Sequence, residues 1–222
     1  MGLLEEAPSL DDFFTEVLTP ALKKRDVSLS SDARAHVVSV LVRYASKRGE
    51  IDDVVSHDTA VPASDPVYVQ ETYLAAQRSP LKLLSLADTC LLRQGFFYAY
   101  VYDRRRNLRS PSEHSHFGSA SYARVAALLL DAELPGAASP FLELAGNFDP
   151  LTRALADVHL ASLTDQQLLQ LYDRMLEVRD TRYRQLFEDN GIEVVAPKLS
   201  SQERVNDRTK LYIPARGSHD NN

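Results

Sequence analysis

Apolar residues return along this chain at steps of three and four. Leu10, Phe13, Phe14, Val17, Leu18 and Leu22 make one run, and Val37, Val38, Leu41 and Val42 a second. Leu168, Leu169, Tyr172, Met175, Leu176, Tyr183, Leu186 and Phe187 make a third. That step keeps side chains on one face of a helix, so the pattern predicts amphipathic helices packed by their apolar stripes. Start and stop signals divide the pattern. Ser9 caps a helix over 9–25, with Asp11 and Asp12 in its first turn and Pro20 expected to kink or break it near Leu18–Thr19. Ser30 or Ser31 opens 31–48, which closes on Lys47, Arg48 and then Gly49. Four dipeptides, Asp65-Pro66, Ser79-Pro80, Ser139-Pro140 and Asp149-Pro150, each place a capping residue before a proline whose missing N–H costs nothing there. They predict helices from 65 to about 78, over 80–106, over 140–148 and over 150–162. A helix over 117–133 pairs with the one over 80–106. Thr164 and Gln167 form a capping box that opens a helix over 165–190, ended by Asn190-Gly191.

The expected fold is therefore all-α: one helical domain over 1–190, a bundle of about seven to eight helices. An irregular tail over 191–222 is expected to be partly docked, through Leu211–Pro214, or disordered. Residues 49–64 show no period and read as a loop that carries His57, with one helical turn at Ile51–Val55.

The most distinctive stretch is 80–130. Leu84, Asp88, Leu91, Leu92, Gly95, Tyr98, Ala99 and Tyr102 share one side of its first helix. Asp88 is thus a carboxylate on a core stripe, and an unpaired charge there costs several kcal/mol. Gly95 costs about 1 kcal/mol of helix stability relative to alanine, so a close approach is expected at it. On the second helix, Phe117, Ala120, Ser121, Arg124, Val125 and Leu128 share a side, and Gly118 begins a run of small residues. Arg124 or Tyr122 is the expected partner of Asp88. Two readings follow: a tie between two helices, or a pocket lined by Asp88, Arg93, Gly95, Tyr98, Tyr122 and Arg124.

Between the helices lie Arg104, Arg105, Arg106 and Arg109, a solvated helix end or a patch for an anion or an acidic partner. His114-Ser115-His116, read as part of that loop, supplies two imidazoles where a metal wants three or four ligands, so no metal is expected. No phosphate loop, GxSxG or HExxH occurs, so no cofactor and no reaction are assigned.

Bulk properties narrow the classes. A chain of 222 residues can bury a full core, and its 44% hydrophobic and 25% charged residues are those of a soluble globular protein. The net charge of −6 argues against a general nucleic-acid binder. One cysteine, Cys90, allows no disulfide within the chain and fits a reducing, cytoplasmic setting. No apolar run is long enough to span a membrane, and the start lacks a secretory signal.

Asp88, Leu92, Gly95-Phe96-Phe97, then Phe117-Gly118, Ala120 and Tyr122 resemble the order of parts in a family of helical bacterial proteins that has no assigned activity. That family is tyrosine-rich just before its second glycine, where this chain has Ser112–His116. The resemblance implies a bacterial, cytoplasmic, all-α domain and no particular chemistry. Two functions stay open. One is an interaction or scaffold protein, binding a copy of itself or another protein through 165–190 or the tail. The other is a small-molecule binder or enzyme with a pocket between the central helices.

Overall fold

The computed structural model describes residues 9–46, 66–97, 111–178 and 181–192. Among them are nine helices and no strand: α1 (Leu10–Lys24), α2 (Ser31–Ser46), α3 (Pro66–Ala76), α4 (Pro80–Gln94), α5 (Pro111–Asp131), α6 (Pro135–Gly146), α7 (Phe148–Ala161), α8 (Asp165–Val178) and α9 (Thr181–Asp189). None of these is long and apolar enough to cross a membrane. The loop at 49–64, the tail from 193 onward, Tyr98, Tyr102 and the four arginines at 104–109 lie outside the described residues.

Helices α4 and α5 run antiparallel at the centre, with Cys90 against Gly118 and Asp88 against Tyr122. α6 folds back on α5, where Ser119 Oγ donates to the Ala145 carbonyl at 2.9 Å. α2 packs on α1 and α6 and reaches α4 through the side chains of His36 and Arg43, and α1 packs on α7. Their shared core runs from Leu18 and Leu41 through Leu91 and Tyr122 to Leu151 and Leu155, all fully buried. A second, smaller core of Leu160, Leu171 and Phe187 joins α8 and α9 to the end of α7.

The capping signals act as their chemistry dictates. Ser9 Oγ accepts from the Asp12 amide at 3.1 Å. Gln167 Oε1 accepts from the Thr164 amide at 2.9 Å, closing the box at the start of α8. At the other end of the pair, Gly191 takes φ +73°, and the Ile192 amide reaches back to the Phe187 carbonyl at 2.9 Å. This is the six-to-one closure that a left-handed residue permits.

Several boundaries differ from the pattern's prediction. α5 begins at Pro111, six residues before 117, at a first helical position where proline's missing N–H costs nothing. α6 begins at Pro135, so Pro140 lies inside it and Ser139 is not a cap. α7 begins at Phe148, which leaves Pro150 within the first turn, where no amide is needed. α1 continues through Pro20 unbroken. Pro20 and Glu16, one turn before it, are both exposed, so the proline lies on the wet face of the helix. α4 ends at Gln94, with the Gly95 amide still bonded to the Leu91 carbonyl and Gly95–Phe97 a turn, where a helix through 106 was expected. The helix expected over 165–190 is described in two pieces, 165–178 and 181–189.

Candidate functional site

The seam between α4 and α5 holds most of the buried polar side chains. On α5 the wholly buried positions are His114, Gly118, Ser121, Tyr122, Val125 and Ala126. This stripe is turned about one residue from the expected one: Tyr122 and Ala126 lie at its centre, while Arg124 is half-buried at its edge. On α4, Leu83, Ala87, Asp88, Cys90, Leu91, Arg93 and Gln94 are buried.

Both glycines are points of close approach. A Cβ on Gly118 would lie 2.3 Å from Phe148 Cζ and 2.8 Å from Cys90 Cβ. One on Gly95 would lie 2.7 Å from Leu155 Cβ and 3.0 Å from the Thr152 carbonyl oxygen. Helix α7 therefore occupies the room at Gly95 and seals the far side of the seam.

Asp88 is 7% exposed and both of its carboxylate oxygens are engaged. Tyr122 donates its phenol hydrogen to Oδ1 at 2.7 Å. His36 Nε2 lies 2.9 Å from the same oxygen, and Arg43 Nη2 donates to Oδ2 at 2.8 Å. The Tyr122 ring is wholly buried, stacked on Phe141 at 6.2 Å between centroids, with the His36 ring edge-on at 5.9 Å. Burial first, and then the Asp88 charge, hold the Tyr122 phenol well above its usual range, so it stays neutral and donates. Of the two partners named for Asp88, the structure brings it Tyr122. Arg124 instead donates from Nε to the Gln77 carbonyl at 3.2 Å, tying α5 to the end of α3. Arg93, named with the pocket lining, is buried on α4.

His36 and Arg43 were not foreseen as partners. They stand seven residues apart on α2, hence on one face, but no local pattern shows which helix that face meets. A second buried carboxylate was missed as well. Asp157, on α7, is 5% exposed and accepts from Arg25 Nε at 2.6 Å, Arg25 Nη2 at 2.9 Å and Asn190 Nδ2 at 2.8 Å. The bond to Asp157 raises the Arg25 guanidinium above its usual value. Asp189, bonded by Gln185 and then by Arg25, sits below the usual carboxylate range. No local pattern marks Asp157, because the cation it meets lies 132 residues away in sequence.

The His-x-His pair does not converge. Both residues lie in the first turns of α5, not in a loop, and side chains two apart on a helix point to opposite sides. His114 is buried at 1% and His116 is exposed. No group of three or more metal-ligating side chains assembles among the described residues.

The remaining reactive side chains are quiet. Burial pushes the Cys90 thiol up to about 12, so it carries no thiolate at neutral pH. Burial pushes the His159 imidazole down to about 4, where it packs on Phe96 at 4.7 Å between centroids. The described geometry thus holds a carboxylate in place and keeps its donors neutral or paired. It presents no nucleophile beside a base. No family model matches the chain, and no curated protein or solved structure matches it.

Proposed function

We propose that this chain is a helical interaction module that works through its surface and carries no reaction in its core. One observation supports this most: the conspicuous carboxylate of the core, Asp88, spends both oxygens on the protein's own Tyr122, His36 and Arg43. A ligand site leaves such groups for the ligand; this one uses them to join α2, α4 and α5.

The surface we assign is the outer face of α8. Leu168 and Leu171 dock toward the second core, while Leu169 between them is 66% exposed. Residues of both signs, Asp165, Asp173, Arg174 and Glu177, accompany it in the sequence of α8. An apolar position among alternating charges suits a second copy of the same helix. A lone buried thiol suits a cytoplasmic setting. Sedimentation velocity of the full chain over a hundredfold range of concentration tests the reading. A dimer that Leu169→Glu converts to monomer supports it, and a wild-type monomer throughout contradicts it.

A second reading, a small-molecule site in the α4–α5 seam, draws on Ser121, which is fully buried and whose Oγ makes no hydrogen bond among the described residues. A melting-temperature rise with an anion or metabolite that disappears in Ser121→Ala would favour it.

A further inference from the structure

The helix pair α8–α9 is joined to the rest of the protein in a different manner from the other helices. Among the described residues its own core is small: Leu160, Leu171 and Phe187 are buried, with Leu163, Leu168, Tyr172, Leu186 and Ile192 packed around them. Tyr172 meets Phe187 edge-on at 5.6 Å. Only Leu160 among the three buried residues comes from α7, and this cluster is separate from the large core that unites α1, α2, α4, α5 and α7.

Among the described residues, what crosses to the main body is largely polar and comes to one place. Arg25, the C-cap of α1, grips Asp157 of α7 with two nitrogens and reaches Asp189 of α9 with a third. Asn190 donates to Asp157 at 2.8 Å and accepts from Lys24 Nζ at 2.9 Å. Asn190 also donates to the Leu186 carbonyl at 2.7 Å, so the same side chain closes the end of α9. The clamp therefore ties the first helix to the last through one buried carboxylate.

We infer that α8–α9 undocks from the bundle as a unit, with the Arg25–Asp157–Asn190 clamp as its latch. Such a unit opens with less free energy than the whole protein when few apolar contacts and a local polar network hold it. Breaking a buried pair by removing one partner weakens the element it holds far more than a surface pair would. The latch stands whether or not α8 is a self-association face. If it is, undocking regulates that face.

Hydrogen exchange on the full chain, read by mass spectrometry, tests the latch with Asp157→Asn and Asn190→Ala. The second variant leaves the Arg25–Asp157 pair in place and so guards against a chain that fails to fold. The expected result is an exchange rate in α8 and α9 raised by about tenfold or more, with α2, α4 and α5 changed by less than about twofold. An equal rise over all helices would make the clamp part of the global fold. No rise in α8–α9 would mean that the apolar contacts alone hold the pair. Either result overturns the inference, and if Asp157→Asn does not fold, Asn190→Ala decides between the same outcomes.

Discussion

Tyr122 donates its phenol hydrogen to Asp88 Oδ1 at 2.7 Å from within a fully buried ring, so a buried hydroxyl is spent on a buried carboxylate. The bond joins α4 to α5 across 34 residues of sequence. Arg43, on the other carboxylate oxygen, is 58% exposed. Tyr122 and Arg43, two of the three partners of Asp88, therefore differ in worth. Tyr122→Phe should lose about 1.5–3 kcal/mol, as for a hydrogen bond to a charged group. Arg43→Ala should lose less than about 1 kcal/mol, because water replaces a largely solvated guanidinium. Urea denaturation midpoints at equal slope check the order.

Gly95→Ala and Gly118→Ala should both destabilise, by about 1–3 kcal/mol, although alanine is the better helix former. At Gly95 the new methyl meets Leu155 Cβ and two backbone carbonyls, none of which is the free end of a side chain. At Gly118 it meets the Phe148 ring and Cys90 Cβ. An unchanged urea midpoint in both variants would show that α7 sits further from the seam than described.

Glu133 closes α5 at φ +59°, in the left-handed region, and follows the negative end of the helix dipole. Glu133→Gly should stabilise the protein by about 0.5–1 kcal/mol and raise the melting temperature by a few degrees. Asp26 closes α1 in the same way at φ +53°, yet aspartate tolerates that conformation, so Asp26→Gly should gain less. Differential scanning calorimetry of the two variants compares them directly.

Burial lowers the His159 imidazole from its ordinary 6.5 to about 4. Between those values the unfolded chain binds a proton that the folded chain excludes, so a falling pH favours unfolding. The contribution of this residue is complete above about pH 6.5, declines through the window and levels off below about pH 4. The slope is at most about 1.4 kcal/mol per pH unit. His159→Gln should flatten stability between about pH 6.5 and pH 4.5, which urea midpoints taken across that range would reveal. The depressed Asp189 carboxyl acts at lower pH, since its stabilisation is lost only as pH falls below its ordinary 3.8.

The elements were more legible in the sequence than their neighbours. Three-and-four spacing located the helices, and Ser9, Thr164 with Gln167, and Asn190-Gly191 located ends whose hydrogen bonds are local. The misplaced starts share one cause. A proline fits the first turn at more than one position and survives inside a helix, so spacing alone does not tell the start at Pro111 from the interior prolines Pro20 and Pro140. The candidate site was half legible. Asp88 stood out as a carboxylate on an apolar stripe, and Tyr122 as a donor on the facing helix. His36, Arg43 and the Arg25–Asp157 pair were not legible, since their partners lie 52, 45 and 132 residues away and only the packing of whole helices brings them together.

The central claim is that Asp88 serves the fold and not a ligand. A double-mutant cycle in Asp88→Asn and Tyr122→Phe, read by urea denaturation of the full chain, tests it most directly. The account predicts a coupling of about 1–2 kcal/mol between the two side chains, with both single variants destabilised. Additive effects, or an Asp88→Asn variant as stable as the parent or more so, would contradict it, because a carboxylate retained at the expense of stability is one kept for binding or chemistry.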